Sequence, residues 1–351
     1  MIKGIIPHSK PFLGIEEIKA VSSLLRSGQI SNGEKVSEFE RAFANFIGDK
    51  NGVAVNSGTA AIHLSLLALG VGKGDEVIIP SFVCSALLNA VNYVSGKPVI
   101  VDVRKDTFNI DPEEVKKAIT EKTKAIIVPH LFGLAANIEP LLKLGVSVIE
   151  DCAQSIGALY KGKMTGSLAP ISVFSFYTTK VICTGEGGMV LSNNSKLLNR
   201  IRDLREYDKK ADFKTRFNYK MTDLQASIGI EQLKKLPDFI KKRRLIAEVY
   251  NRELKNSGLE LPLEPKGYKH IYYRYVVNSK RSEGIDLKLF HERGVYCERP
   301  VYKPLHKYIK TSNKFPVSKG FEKTAISVPI YPALKDEEID RILKVFKKVL
   351  D

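Results

Sequence analysis

The sequence predicts an α/β fold in which a mostly parallel sheet is flanked by helices, followed by a smaller C-terminal α+β domain. Up to about residue 235, helical patterns alternate with short runs of β-branched residues, which is typical of βαβ units. The predicted strands are apolar at nearly every position, as in strands that are buried on both faces of a parallel sheet. After Leu236 the pattern changes. We therefore predict a large domain over residues 1–235 and a small domain over residues 236–351.

The predicted elements follow one another in a regular order. Two amphipathic helices that end at glycines come first, "GIEEIKAVSSLLRSG" and "EKVSEFERAFANFIG". The large domain then continues through helix "TAAIHLSLLALG", strand "EVIIP", helix "SALLNAVNYV", strand "PVIVDV", helix "DPEEVKKAIT", strand "KAIIVPH", a short helix near Ile138 to Leu144, and strands "VSVIED", "ISVFSF" and "GGMVLS". The small domain contains the helix "PDFIKKRRLIAEVYNRELKNSG", the strand "YYRYVVN", a helix near Leu287 to Arg293 and a final helix from Lys335.

The composition indicates an ordinary globular protein. The chain has 351 residues, of which 44% are hydrophobic, so it can form a sizeable core. No apolar run approaches the length of a membrane span. The four cysteines are widely spaced and form no CxxC pair, so the sequence supports neither a metal site nor a disulfide framework. Reduced thiols fit a cytoplasmic location.

The net charge of +16 has a simple interpretation. Basic clusters such as residues 241–244 fall in segments with helical apolar spacing, which is typical of solvated helix faces. No basic motif interleaved with aromatic residues supports nucleic-acid binding. Electrostatic attraction of a phosphorylated small molecule is the alternative that the charge leaves open.

Three features fall at the edge of the sheet where ligands bind in open α/β folds. "NSGTAAIHL" places Ser57, Gly58 and Thr59 at a helix N-terminus, which attracts anions. Asp151 ends the buried strand "VSVIED", and Lys180 follows the strand "ISVFSF". Each feature also has a structural interpretation: a helix cap with a tight turn, a capping carboxylate, and a solvated lysine.

Together the three features suit pyridoxal 5′-phosphate. The helix N-terminus would hold the phosphate, Lys180 would form a Schiff base with the aldehyde, and Asp151 would keep the pyridine nitrogen protonated. A lysine suits this role because burial lowers the pKa of its amine, and the neutral amine is a nucleophile. The glycines in "TGEGG" after Lys180 would let the backbone turn closely beneath the cofactor.

The sequence resembles the DegT/DnrJ/EryC1/StrS aminotransferases, which are sugar aminotransferases with fold type I among pyridoxal-phosphate enzymes. The similar stretches run almost end to end and are "SGQISNGEKVSEFERAFANFIG", "AVNSGTAAIHLSLLALGVGKGDEVIIPSF", "EDCAQSIGALYKGKMTGS", "FSFYTTKVICTGEGGMVLSN", "FNYKMTDLQASIGIEQL", "RPVYKPLH" and "SVPIYPALKDEEIDRIL". The combination of "EDCAQ" with the lysine and glycine block is the most specific part.

The resemblance implies roles for the central residues. Lys180 matches the lysine that forms the Schiff base, and Asp151 matches the acid that pairs with the pyridine nitrogen. Gln154 matches the residue that is bonded to the hydroxyl oxygen of the ring. Gly58 and Thr59 match the start of the phosphate-binding helix.

The resemblance also implies more peripheral roles. Ser175 matches a hydroxyl donor to the phosphate, and Asn218 matches an asparagine that reaches the phosphate of the neighbouring subunit, so a homodimer with shared active sites is expected. Tyr302 and His306 fall where the family lines its sugar pocket. Cys84 is a departure, because the family usually has an aromatic residue there that stacks on the pyridine ring. We expect the Cys84 sulfur to lie against the ring, or else another group to cover that face.

The reaction that the resemblance implies is a ping-pong transamination. Glutamate is the expected amino donor, and a keto sugar linked to a nucleotide is the expected acceptor. A keto-cyclitol acceptor and a sugar dehydratase are alternatives, although family dehydratases replace the lysine with histidine. A basic regulatory protein built on the same fold is the alternative without catalysis, and the retained Lys180, Asp151 and Gln154 argue against it.

Overall fold

The computed structural model describes residues 4–48, 51–311 and 313–350. Met1–Lys3 and Asp351, at the outer ends of the two predicted domains, lie outside the described residues. The helices are α1 Ile15–Ser27, α2 Glu34–Ile47, α3 Gly58–Ala68, α4 Ala86–Tyr93, α5 Pro112–Ala118, α6 Glu139–Leu142, α7 Ser195–Leu204, α8 Asp223–Leu254, α9 Lys288–His291, α10 Pro316–Thr324 and α11 Asp336–Leu350. The strands are β1 Asn51–Val55, β2 Glu76–Pro80, β3 Lys97–Val101, β4 Thr123–Pro129, β5 Ser147–Asp151, β6 Leu159–Tyr160, β7 Lys163–Met164, β8 Ile171–Ser175, β9 Gly188–Ser192, β10 Leu259–Glu260, β11 Tyr268–Lys269, β12 Tyr275–Ser279 and β13 Ala325–Val328.

The central sheet has seven strands in the order β1-β9-β8-β5-β4-β2-β3. The pairs formed among β3, β2, β4, β5 and β8 are all parallel, and β9 runs antiparallel to both of its neighbours. The predicted α/β class with a mostly parallel sheet is therefore confirmed. Strand β1, "NGVAV", was not among the predicted strands because its short run of small residues gives a weak pattern.

Both faces of this sheet are buried, as the apolar strands predict. Val77 and Ile79 of β2 belong to a core cluster with α3, α4 and α7. Ile78, which lies between them, belongs to a cluster on the opposite face with α5 and α6. Successive side chains of a strand point to opposite faces, so a strand covered on both sides must be apolar throughout.

Helix α8 connects the large sheet to the C-terminal part of the chain. Thr222 caps it in a capping box with Gln225, and the helix continues without a break to Leu254, with Pro237 inside it. The predicted division between residues 235 and 236 thus falls within a continuous helix. Beyond α8, β10, β12 and β13 form an antiparallel sheet, whose core residues pack with those of α8 and α11. Across the described ranges, no helix is both long and apolar enough to span a membrane.

Candidate active site

The predicted strand-end residues meet at one cavity of about 250 Å³. Because β2, β5 and β8 run in the same direction, their carboxyl ends share one edge of the sheet. Helix α3 begins at the same edge. The residues that line the cavity are Ser57, Gly58, Thr59, Ile62, Cys84, Ala86, Leu87, Asp151, Ala153, Val173, Phe174, Ser175, Tyr177, Lys180 and Glu186.

Asp151 is buried at the end of β5 and faces this cavity. Its Oδ1 accepts the Ala153 N–H at 3.0 Å, and within the described residues no basic side chain forms an ion pair with it. Burial raises the pKa of the Asp151 carboxyl, although the Ala153 N–H and the Lys180 charge oppose this shift. A buried carboxylate is stabilised by a cationic partner, and a protonated pyridine nitrogen would be such a partner.

The adjacent acid, Glu150, faces the other way and has a structural role. Its oxygens accept the backbone N–H groups of the loop after β7, from Gly166 at 2.6 Å, Leu168 at 2.8 Å and Ala169 at 2.5 Å. His130 accepts the Ala136 N–H on Nδ1 at 2.9 Å and donates from Nε2 to Glu150 at 3.0 Å. Buried Cys152 lies close to both side chains. These hydrogen bonds use His130 and Glu150 to hold the loop.

Lys180 is half-buried and lines the cavity after a turn that leaves β8. Its backbone N–H donates to the Tyr177 carbonyl at 2.8 Å, which closes the turn. Its Nζ lies 5.3 Å from the centroid of the buried Tyr273 ring. In the parts of the chain that the structure describes, no carboxylate forms an ion pair with Lys180. The amine therefore has an apolar wall on one side and the cavity on the other.

The N-terminus of α3 and the end of β8 form a cradle. Ser57 caps the helix, and its hydroxyl accepts the Ala60 N–H at 3.1 Å. A Cβ at Gly58 would lie 2.8 Å from the Ser175 Cβ, so glycine is what allows the Ser175 hydroxyl to approach the helix. Backbone N–H groups at a helix N-terminus with a hydroxyl beside them suit a phosphate. This is the arrangement that the sequence predicts for Gly58, Thr59 and Ser175.

The glycine turn after Lys180 also depends on close contacts. A Cβ at Gly188 would collide with the Ser57 carbonyl, and Gly185 has a φ of 83°, in the left-handed region that favours glycine. Glycines at these positions let β9 begin directly behind the start of α3.

Two further predicted residues lie near the cavity but do not line it. Gln154 is half-buried, and its carboxamide oxygen accepts the Phe132 N–H at 2.9 Å. Asn218 is exposed. Its backbone carbonyl accepts a hydrogen bond from Asn56 Nδ2 at 3.3 Å, beside the start of α3. Cys84, by contrast, is exposed and lines the cavity directly.

The two residues predicted for the sugar pocket lie apart from the cavity lining. Tyr302 is 95% exposed. His306 is buried and stacks on Phe315 with the ring centroids 5.1 Å apart, and its Nδ1 lies 2.7 Å from the Ser81 hydroxyl. Their expected contact with a sugar remains a prediction.

Sequence reasoning missed the residues that the C-terminal part of the chain brings to Lys180. Burial acts to raise the pKa of Tyr273, but the Lys180 and Arg274 charges outweigh it and lower the pKa to about 8. The segment "HIYYRYVV" contains no local motif that marks this role. Only the long-range packing of residues 271–274 against residues 132 and 133 places Tyr273 there.

A second cavity of about 640 Å³ is unrelated to these residues. It lies between α1, α2 and α8 and contains no predicted catalytic or cofactor-binding residue. The residues that fit pyridoxal phosphate are those of the smaller cavity: an anion cradle, a buried carboxylate and a lysine. This donor set matches the phosphate, pyridine nitrogen and aldehyde of that cofactor.

Comparison with known proteins connects this geometry to a family. Residues 11–347 match the DegT/DnrJ/EryC1/StrS aminotransferase family. The GDP-perosamine synthase of Vibrio cholerae is similar, with 33% identity over 98% of this chain and 98% of that protein.

Solved structures show the same likeness. The aminotransferase TlmJ from Streptoalloteichus hindustanus has a TM-score of 0.93 and 30% identity, covering 99% of both chains. Spr1654 from Streptococcus pneumoniae, in its PLP form, has a TM-score of 0.91 and 28% identity, covering 99% of this chain and 98% of that one.

Proposed function

This chain belongs to the DegT/DnrJ/EryC1/StrS aminotransferase family and is a pyridoxal-phosphate-dependent aminotransferase, and from this premise we propose that it transfers the amino group of glutamate to a keto sugar carried on a nucleotide. The observation that carries the proposal is that Lys180, Asp151 and the start of α3 line a single cavity. A sugar acceptor is further supported by the similar GDP-perosamine synthase, whose name includes a nucleotide-linked amino sugar.

Different residues of the chain would bind different groups of the cofactor. Gly58, Thr59 and Ser175 would bind its phosphate, and Asp151 would accept a hydrogen bond from its pyridine nitrogen. Gln154 is proposed to bind the ring hydroxyl. When bound, pyridoxal phosphate supplies an electron-withdrawing ring that stabilises the negative charge left when a proton leaves the carbon next to the amine.

Lys180 is proposed to act at the reacting atoms. Its amine would first hold the cofactor aldehyde and would then be displaced by the amine of the donor. The free Nζ would act as the general base that removes the proton from the α-carbon of the donor and as the general acid that gives this proton back. The retained lysine favours amino transfer over the dehydratase alternative.

A shared active site is part of the proposal. Asn218 is exposed beside the start of α3, where a second copy of the chain could approach the cradle. We propose a cytoplasmic homodimer in which Asn218 reaches the phosphate bound by the partner subunit. Inactive Lys180→Ala and Asn218→Ala chains, once mixed and exchanged, would then form hybrid dimers with one intact site. Recovery of about one quarter of the wild-type activity is expected for random pairing in equal amounts, and no recovery after proven exchange would argue against sharing.

The proposed substrates can be tested with a panel of nucleotide-linked keto sugars and glutamate. We expect 2-oxoglutarate to be released in a molar amount equal to that of the amino sugar, identified by mass spectrometry. The Lys180→Ala variant is the control for background transfer. Release that depends on a keto-cyclitol and not on any nucleotide sugar would replace the proposed acceptor.

A further inference from the structure

An unneutralised group of cationic side chains lies behind Lys180. The cations are Arg243 and Arg274, which line a small cavity together with His8, Ser9, Thr179, Tyr273, Val328 and Ile330. The Arg274 guanidinium carbon lies 5.7 Å from the centroid of the Tyr273 ring, and Lys180 Nζ lies 5.3 Å from the same centroid. Both cationic groups thus border one aromatic side chain, which connects this cavity to the catalytic lysine.

Arg243 contributes a buried positive charge. It is 4% exposed, and its Nη1 donates to the carbonyls of Tyr272, Tyr273 and Ile330 at 3.3, 3.1 and 2.8 Å. Its buried Nε has no hydrogen-bond partner within the described residues. Burial lowers the pKa of Arg243 to about 10, so it stays charged at neutral pH. Carbonyl groups satisfy hydrogen bonds but do not cancel a charge.

The acidic groups nearby do not balance these cations. Over the described ranges, neither Arg243 nor Arg274 forms an ion pair with a carboxylate. The exposed Glu298 lies 3.3 Å from His8 Nδ1, but burial and the Arg274 and Arg243 charges lower the pKa of His8 to about 3. His8 is therefore neutral at pH 7, and it forms no ion pair with Glu298 at that pH. The cavity keeps a net positive charge that an anionic ligand could compensate.

The size of the cavity restricts the ligand. Its volume is about 10 Å³, which is room for one water-sized group. One oxygen of a carboxylate fits this space, whereas a diphosphate is much larger. Guanidinium groups bind carboxylates well because they can donate two parallel hydrogen bonds.

We propose that Arg274, supported by the charge of buried Arg243, binds the α-carboxylate of the amino-acid donor. This inference rests on the proposed function, in which Lys180 must reach the α-carbon of the donor. The α-carboxylate is bonded to that carbon, so an anion site beside Tyr273 would hold the α-carbon next to Lys180. Arg274 is then a residue that selects the donor and has no part in binding the keto sugar.

The test compares Arg274→Met with Arg274→Lys in the holoenzyme. Methionine keeps much of the apolar stem but removes the charge, whereas lysine keeps the charge and loses the planar fork. The exposed Arg281, which donates to the Leu350 carbonyl at 2.7 Å, provides the matched control Arg281→Met. Thermal unfolding of each variant shows whether the fold is retained.

We expect Arg274→Met to raise the KM for glutamate at least tenfold, which is about 1.4 kcal/mol, and to leave the KM for the keto sugar unchanged. Glutarate, which has no amine to transfer, is expected to bind the variant at least tenfold more weakly by calorimetry. Arg274→Lys is expected to lie between wild type and Arg274→Met, and Arg281→Met to match wild type. Unchanged glutarate affinity in folded Arg274→Met would overturn the inference. An equal rise of both KM values would also overturn it.

Glutarate binding separates this inference from the proposed function. If the wild-type protein transfers no amine from glutamate, the proposed donor is wrong. The calorimetric difference between Arg274→Met and wild type still decides whether Arg274 holds a carboxylate.

Discussion

The two sides of Lys180 are built in different ways. On the cofactor side, Asp151, Ser175 and the start of α3 come from the ends of neighbouring elements in one sheet. On the opposite side, Tyr273, Arg274 and Arg243 are brought together by packing between the C-terminal half and α8. The first arrangement follows from strand order alone, whereas the second requires contacts between distant segments.

The two sides also differ in charge. Burial disfavours the ionised form of Asp151 on the cofactor side, whereas cations favour the ionised form of Tyr273 on the other. Among the described residues, Asp151 on the cofactor side has no basic partner in an ion pair, and Arg243 and Arg274 on the opposite side have no acidic one. This difference suggests that the bound groups complete the electrostatics of the site: a protonated ring on one side and a carboxylate on the other.

The largest expected effect is that of removing the group between the two sides. Lys180→Ala should lower turnover by at least about 10³-fold, because both covalent and proton-transfer roles are lost. Steady-state release of 2-oxoglutarate measures this loss. The exposed Lys280 provides the control Lys280→Ala, which should retain wild-type turnover; near-normal turnover in Lys180→Ala would remove the lysine from the mechanism.

The next effect separates two adjacent acids. Asp151→Asn should lower turnover by about 10²-fold or more, because the ring nitrogen loses its ionic partner. Glu150→Gln should instead lower the free energy of unfolding by about 2–4 kcal/mol, since an amide group cannot accept all the loop N–H groups. Turnover and denaturant unfolding of both variants test this contrast. Equal loss of turnover at equal stability would contradict it.

The pH dependence of Asp151→Asn has a definite sign in the cofactor-free protein. Because burial raises the pKa of Asp151 in the folded state, the unfolded chain ionises first as the pH rises, and this disfavours folding. Asp151→Asn should therefore be more stable than wild type at pH 7. The difference should shrink as the pH falls to where the carboxyl is protonated in both states. Denaturant unfolding at several pH values gives the measurement, and a less stable variant at pH 7 would contradict it.

On the opposite side of Lys180, Tyr273→Phe tests whether the Lys180 and Arg274 charges lower the pKa of Tyr273. The pKa of Tyr273 in the folded state is lowered to about 8, below the ordinary tyrosine pKa of about 10. Ionised Tyr273 therefore stabilises the folded state fully above about pH 10, and this contribution is lost as the pH falls through about 8. Wild type should gain on the order of 2 kcal/mol over Tyr273→Phe between about pH 8 and pH 10. A constant difference across this range would show that Tyr273 does not ionise early.

The smallest expected effect concerns Cys84 on the cofactor side. A sulfur–aromatic contact contributes about 0.3–1.5 kcal/mol, so Cys84→Ala should weaken cofactor retention by no more than about tenfold. Thiol labelling of Cys84 should be fast in the cofactor-free protein and slow when the cofactor is bound. Equal labelling rates in both states would mean that another group covers the ring.

The sequence allowed the cofactor side to be predicted because strand ends carry their own markers. Apolar runs predicted the strands, and their parallel arrangement predicted a common edge. Asp151 ends one such run, and Lys180 lies in the turn after another. Gly58 could be anticipated from the turn before α3, and its contact with Ser175 explains why no other residue fits there.

The opposite side could not be predicted in the same way. Tyr273 and Arg274 belong to an ordinary apolar and aromatic segment, and their role depends on hydrogen bonds from residues 271 and 274 to the turn at residues 132 and 133. The division at residues 235 and 236 was drawn from a change in charge pattern, but α8 continues across it. A charged helix face indicates that this face is exposed to solvent, but it does not indicate where a domain begins.

Borohydride reduction of the cofactor-loaded protein, followed by peptide mapping, tests the central assignment most directly. The reduction fixes the cofactor to the amine that holds its aldehyde, and mass spectrometry identifies the modified residue. Stoichiometric label on Lys180, and its loss in Lys180→Ala, is the predicted result. Label on any other lysine of the wild-type protein would contradict the assignment of Lys180.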